Sequence, residues 1–206
     1  MRMGNVISKR AIALGAALAV VLAGCLGTTY TPTRYYTLNP DPDPAGHERT
    51  GISLGIYKLG YARMYKQPMV YTEPGRALGY DEFHQWAEMP RDTITRAVLD
   101  AVASGGGFAD VAYAFELSRP DLVLTGEVRK FDQVRDAPEW RALCEVRFEL
   151  RERFGDGVLW GETLSAESAL PSNDPSGFAA AMSLAVTELA ERAAERIANY
   201  GRIGAT

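Results

Sequence analysis

Residues 140–154 hold the feature that most constrains the fold, a regular alternation of apolar and charged side chains. The apolar series is Ala142, Cys144, Val146, Phe148 and Leu150, and the charged series is Arg141, Glu145, Arg147, Glu149 and Arg151. Successive side chains of a β-strand point to opposite faces of the sheet. The run therefore predicts a strand with one buried and one solvated face, which is typical of antiparallel sheets.

The rest of the chain predicts further strands and two helices. Strands are predicted at residues 34–38, 52–59, 69–72, 76–80, 121–132 and 158–168. One helix begins at Pro90 and ends at the glycines 105–107, and another begins after the N-cap Asp174 and closes at Gly201. This order predicts an α+β fold of two layers, with a mixed, largely antiparallel sheet and both helices packed on one face. Such a sheet leaves its other face and its edges free for a partner or for a homo-oligomer.

The first 24 residues have the three parts of a secretory signal. Arg2, Lys9 and Arg10 precede an uncharged apolar stretch over residues 11–23, which is too short for a membrane-spanning helix. The tetrad Leu22-Ala23-Gly24-Cys25 resembles the bacterial lipobox. The alternative is an ordinary signal peptide followed by a chance cysteine. We expect three regions: a signal peptide (residues 1–24), a lipidated tether (25–34) and a single domain (35–206).

The lipobox resemblance implies that Cys25 is lipidated and that this lipid anchors the protein on the periplasmic side of the cell envelope. A diacylglyceryl group on the thiol and a further acyl chain, such as palmitate, would hold the protein stably, because two or more chains are needed for that. Leu26 follows the cysteine, where an aspartate would indicate retention in the inner membrane of enteric bacteria. The sequence therefore predicts the outer membrane.

The net charge argues against nucleic-acid binding, and the sequence around Cys144 argues against a reactive thiol. The signal segment holds three of the 22 basic residues and none of the 26 acidic ones, so the remainder has a net charge near −7. So acidic a chain is a poor candidate for nucleic-acid binding, which needs a basic face. Cys144 belongs to the apolar series of residues 140–154 and is expected to be a small buried hydrophobe.

No constellation of catalytic or metal-ligating residues is visible. His47 and His84 have no second histidine or cysteine at metal-binding spacing, and glycines 105–107 lack the lysine of a phosphate loop. We expect no enzyme activity, no catalytic residue, no metal and no cofactor.

The segment from Tyr80 to Pro90 is the least ordinary stretch of the chain. It places Tyr80, Phe83 and Trp86 between a predicted strand and a predicted helix. One interpretation is that these rings cap the core. The other is that they form an exposed contact for a partner, because Tyr and Trp are favoured interface anchors.

The order of motifs resembles the family of ABC-type transport auxiliary lipoproteins. The lipobox is followed by Tyr35-Tyr36-Thr37-Leu38, Met69-Val70-Tyr71 and Gln85-Trp86-Ala87-Glu88, with Pro90 opening a helix. Asp121-Leu122-Val123-Leu124, Phe131-Asp132 and a C-terminal amphipathic helix complete the pattern. The resemblance covers nearly the whole chain after the signal segment.

This resemblance implies a function in the cell envelope. Members of the family work beside MCE-domain proteins and, through them, an ABC permease with its ATPase, in systems thought to move lipids or other hydrophobic molecules. The protein would be an accessory subunit that docks the periplasmic MCE assembly. The alternatives are a stand-alone periplasmic lipoprotein that binds peptide or polymer, a lipid-binding shuttle and, last, an enzyme.

Overall fold

The computed structural model describes residues 30–75, 78–136, 138–155 and 157–203, of which Thr33 onwards belong to one compact unit. The predicted signal peptide, Cys25 and most of the predicted tether lie outside the described residues. So do residues 76, 77, 137, 156 and 204–206.

Nine strands and two helices make up the described part of this unit. The strands are β1 (Arg34–Tyr36), β2 (Ser53–Ile56), β3 (Gly60–Tyr61), β4 (Pro68–Thr72), β5 (Gly79–Trp86), β6 (Asp110–Tyr113), β7 (Leu122–Val134), β8 (Arg141–Glu152) and β9 (Val158–Ala169). The helices are α1 (Pro90–Gly105), between β5 and β6, and α2 (Pro175–Ile203), after β9.

The sheet is organised around β7, its longest strand. One side of β7 pairs with β8 along nearly its whole length, and β8 pairs in turn with β9. The other side of β7 pairs in succession with β2, β3 and β4. Beyond them, β6 joins β2, while β5 and then β1 follow β4.

The sheet is mixed, and its longest ladders are antiparallel. The pairs β7–β8, β8–β9 and β4–β5 are antiparallel, whereas β1, β2, β3 and β4 make shorter parallel ladders. Both helices pack on the sheet and against each other. The predicted α+β class is therefore confirmed.

The core fills the space between the sheet and the helices. The five apolar residues of β8 are fully buried under α2, together with Phe178, Met182, Val186 and Leu189 of that helix. The charged series of β8 lies on the opposite face, where Arg141 contacts Glu167 and Asp136, both at 2.7 Å. No helix in the described residues has the length and hydropathy needed to cross a bilayer.

Helix α2 begins as predicted but ends later than predicted. The Asp174 carboxylate accepts the Gly177 backbone N–H at 2.7 Å, which is the N-cap bond that its sequence indicates. Gly201 does not close the helix, which continues to Ile203. A Cβ at Gly201 would collide with the Gly107 carbonyl oxygen, so close packing explains this glycine.

The strands differ from the sequence-based prediction in three regions. β5 continues to Trp86, although residues 81–86 were expected to lie between a strand and a helix. The predicted strand over residues 52–59 is shorter, and a separate strand, β3, follows it. β6 was not predicted, because its four residues show no clear alternation.

Residues 39–44, here called the proline segment, run along the outside of α2. The backbone N–H groups of Asn39, Asp41 and Asp43 donate to the side chains of Ser183 (3.1 Å), Thr187 (3.0 Å) and Glu191 (2.9 Å). Every second residue of the segment thus meets every fourth residue of the helix. The intervening prolines are partly buried.

Candidate partner-contact site

Strand β5 carries the aromatic residues that the sequence singles out, and it is incompletely paired. β4 pairs with it on one side, and on the other β1 reaches only His84, Gln85 and Trp86. Within the described residues, no strand pairs with residues 79–83 on the β1 side. Apart from the Phe83 N–H, which donates to the Asp81 carboxylate, the backbone groups on that side offer an edge to which a partner could add.

The three predicted contact residues have different environments. Tyr80 and Phe83 are exposed, at 49% and 42% of their surface, whereas Trp86 is 1% exposed. The Trp86 ring packs edge-on to Phe131 at 5.4 Å and lies 5.3 Å from Phe178 of α2. Direct partner contact by Trp86 is therefore corrected: its indole belongs to the core. The contact role of Tyr80 and Phe83 stays a prediction.

The side chain of Asp81 shapes the middle of β5. Its Oδ1 accepts the backbone N–H groups of Phe83 and His84, both at 3.1 Å, and lies 2.7 Å from His84 Nδ1. The His84 ring in turn lies 5.7 Å from the Tyr36 ring of β1. All these carboxylate contacts stay within β5, so they hold the conformation of the strand between the two exposed aromatics.

A cavity of about 200 Å³ lies beside β5, where β4, the end of β7 and the start of α2 meet. Its wall includes Asp81 and His84 of β5, Met69 and Tyr71 of β4, and Arg135, Trp140, Asp174 and Phe178. No local pattern in the sequence indicates this cavity, because its residues come from four separate parts of the chain that only the fold brings together.

Arg135 is held in this wall by two aromatic rings. Its guanidinium carbon lies 3.7 Å from the centre of the Tyr71 ring and 4.8 Å from that of Trp140. Its Nε donates to Gln133 Oε1 at 2.8 Å. A Cβ at Gly79 would overlap the Tyr71 ring, so the glycine lets this ring lie flat against β5. The site thus presents a fixed cation beside an apolar floor.

The remaining residues considered for chemistry do not join this site. Cys144 is fully buried, and burial raises the pKa of its thiol far above the ordinary value, so the reactive thiolate is disfavoured. Among the described residues, no three His, Cys, Asp or Glu side chains are grouped to hold a metal ion. Cys25, the predicted lipidation site, lies outside the described residues.

Comparison with known proteins gives a family and a fold. The family model for the "ABC-type transport auxiliary lipoprotein component" matches residues 36–194. No curated protein matches the chain.

Two solved structures illustrate the shared fold. A DUF330 protein of Xanthomonas campestris is 21% identical, with a TM-score of 0.73, and the match covers 83% of this chain and 98% of that one. A hypothetical protein of Chlamydia trachomatis is 14% identical, with a TM-score of 0.54, and the match covers 73% of this chain and 98% of that one. At these identities the likeness concerns the fold alone.

Proposed function

Because this chain belongs to the family of ABC-type transport auxiliary lipoproteins, we propose that it docks a periplasmic MCE-domain protein to a membrane, as a non-catalytic accessory of an ABC-type transport system. The observation that carries this proposal is the family match, which spans β1 through most of α2. Through the MCE protein, the accessory would serve a permease and its ATPase that move lipids or other hydrophobic molecules.

The surface of β5 is the part of the domain that we propose for the contact. Tyr80 and Phe83 expose their rings near a strand edge that is unpaired over residues 79–83 in the described chain. A partner strand could satisfy the free backbone groups while its side chains cover the two rings. Truncating a central interface aromatic costs about 2 kcal/mol or more of binding free energy.

Co-purification with the cognate MCE protein tests this surface. The double variant Tyr80→Ser/Phe83→Ser should lose the MCE protein after crosslinking in the native cells, while its melting temperature stays near that of the wild type. Phe115→Ser is the matched control, because Phe115 is 73% exposed and lies in the β6–β7 connection, away from β5. If the wild type never co-purifies with an MCE protein, the docking function is wrong.

The membrane is a second part of the proposal. We propose that acyl chains on Cys25 hold the protein on the periplasmic side of the outer membrane, since Leu26 rather than an aspartate follows the cysteine. Separation of the two membranes on a density gradient tests the location. Recovery only with the inner membrane would contradict it.

A further inference from the structure

The guanidinium of Arg135 is held in one orientation by its neighbours in the fold, without any ligand. Contacts with Tyr71 and Trp140 set the plane of the group, and the Nε bond to Gln133 sets its rotation within that plane. Gln133 itself is only 4% exposed, and the Arg135 backbone N–H donates to the Thr72 carbonyl at 2.8 Å. The terminal nitrogens therefore project from a support that is fixed at several points.

Those terminal nitrogens have no hydrogen-bond or ion-pair partner among the described residues. Two other arginines show the contrast: Arg141 binds the Asp136 carboxylate with Nη1 at 2.7 Å, and Arg96 binds both oxygens of Glu88. Arg135 differs from these two because aromatic rings and an amide oxygen, rather than a carboxylate, orient its guanidinium. A guanidinium edge with two N–H donors matches the two oxygens of a carboxylate.

The two acids in the cavity wall are already engaged. Asp174 accepts the Gly177 N–H at the start of α2, and its hydrogen bonds lower the pKa of its carboxyl. Asp81 binds its own strand and His84. Among the described residues, neither carboxylate contacts Arg135, so the guanidinium is available to an anionic ligand.

The size and floor of the cavity define what accompanies the anion. A volume of about 200 Å³ lies below the roughly 300–1,000 Å³ of pockets that enclose a whole small molecule. The cavity therefore suits one residue of a longer ligand. Met69 and Phe178 give it an apolar floor next to the arginine.

We propose that this cavity binds the C-terminal residue of a peptide chain, with its α-carboxylate on the terminal nitrogens of Arg135 and an apolar side chain against Met69 and Phe178. Capture of a chain terminus by a preformed polar cradle is a general mode of peptide recognition. The inference rests on the geometry of the cavity and is independent of the MCE partner.

Calorimetric titration of the full-length protein, purified in detergent, tests the proposal. The probe is the peptide acetyl-Gly-Gly-Leu with a free carboxylate, compared with the same peptide as its C-terminal amide. We expect the acid to bind at least about tenfold more tightly, because the charge-assisted pair is lost in the amide. Equal affinity for both peptides, or binding of neither, would overturn the proposal.

Variants of Arg135 test whether the peptide carboxylate binds at this residue. Arg135→Gln should remove the preference for the acid, and Arg135→Lys should weaken it, since an ammonium lacks the planar pair of donors. Arg153→Gln is the matched control, because Arg153 also lies on an aromatic ring, that of Phe154 at 5.4 Å, and should leave the preference intact. Melting curves show whether each variant is folded. If Arg135→Gln is unfolded, the affinity of Arg135→Lys for the acid and the amide decides whether Arg135 causes the preference.

Two further probes separate the sources of an anion. Sodium octanoate supplies a carboxylate on a lipid-like chain, and inorganic phosphate supplies a free anion. Both should bind more weakly than the peptide acid. If either one binds more tightly and depends on Arg135, the site takes a lipid or a free anion and the peptide proposal is wrong.

Discussion

Phe83 and Trp86 lie three positions apart on β5, yet Phe83 is 42% exposed and Trp86 only 1%. The sequence presents both as contact candidates, because both lie between a predicted strand and a predicted helix and aromatic residues are favoured at interfaces. Burial separates them: Phe83 lies outside, and Trp86 fits between Phe131 and Phe178. Burial of this kind depends on residues about 45 and 90 positions away in the chain, which no local pattern reports.

Trp86→Ala should therefore destabilise the domain strongly. Removing a fully buried indole leaves a cavity, and such changes cost about 3–5 kcal/mol of unfolding free energy. Urea denaturation measures this loss. Phe83→Ala, the matched change on the same strand, should stay within about 0.5 kcal/mol of the wild type. Similar losses for the two variants would contradict the assignment of Trp86 to the core.

Asp132 is a second residue that merits a test, because it is a carboxylate buried in the fold. It is 5% exposed, its Oδ1 has no hydrogen-bond partner among the described residues, and the Tyr65 phenol lies close to the carboxyl group. Burial raises the pKa of Asp132 and, together with the Asp132 charge, that of the Tyr65 phenol. Lys130 offsets part of the first shift and Glu145 adds to it.

The raised pKa of Asp132 predicts how the free energy of unfolding depends on pH. The folded protein holds the Asp132 proton to higher pH than the unfolded chain, so the free energy of unfolding falls as pH rises through that window. Asp132→Asn removes the buried charge and should raise stability at neutral pH, where the wild-type carboxyl ionises in a buried site. Urea denaturation from pH 4 to pH 8 should show this gain shrinking toward acid. A gain that is constant with pH would argue against the shift.

At the level of elements, the sequence predicts best where a pattern is long and one-sided. β8 and α2 bury one face along many residues, and both were predicted to within a few positions. β6 and the second half of β5 were missed. β6 has only four residues, and β5 mixes exposed rings with the local Asp81 turn. The predicted helix end at Gly201 was wrong for another reason. A glycine required by close packing cannot be told from a glycine that ends a helix by sequence alone.

Only part of the candidate site could be predicted from the sequence. Tyr80 and Phe83 could be proposed from residue type, because aromatic residues are favoured at interfaces, but the same criterion also selected the buried Trp86. The cavity around Arg135 could not, because Tyr71, Trp140 and Phe178 approach one another only through the pairing of β4 with β7 and the packing of α2.

The proline segment gives a prediction at this scale. Thr187→Val keeps the shape of the side chain but removes the oxygen that accepts the Asp41 N–H. A hydrogen bond contributes about 1 kcal/mol, so hydrogen exchange at Asp41 should accelerate several-fold while the melting temperature of the domain barely changes. Ser104→Ala, which removes a hydroxyl contact within α1, should leave Asp41 exchange unaltered. Unchanged exchange in Thr187→Val would show that the segment is held in another way.

At the level of the whole molecule, the predicted lipid on Cys25 decides where the domain works. Nine residues from Leu26 to Arg34 can span up to about 30 Å, so the domain could stand clear of a bilayer surface. The chain after the signal segment has net charge near −7. Anionic lipid headgroups would repel such a domain, so acyl chains would have to supply the attachment.

Cys25→Ser should therefore release the protein from membranes or leave its precursor uncleaved. Metabolic labelling with palmitate and separation of membrane from soluble fractions check this outcome. The Cys144→Ser variant is the control. Because Cys144 is buried and should not be acylated, this variant should keep the palmitate label of the wild type. Absence of label on the wild-type chain would refute lipidation.

The contact between the proline segment and α2 also limits how the length of that segment can change. Two residues of extended, proline-rich chain advance about 6.2 Å, and four residues of an α-helix rise about 6 Å. The two repeats therefore stay in step. Insertion of one residue before Asn39 would bring Pro40 opposite Thr187 and Pro42 opposite Glu191, and proline has no N–H to donate. Insertion of two would restore the donors one helical turn along, so evolution should vary this segment in pairs.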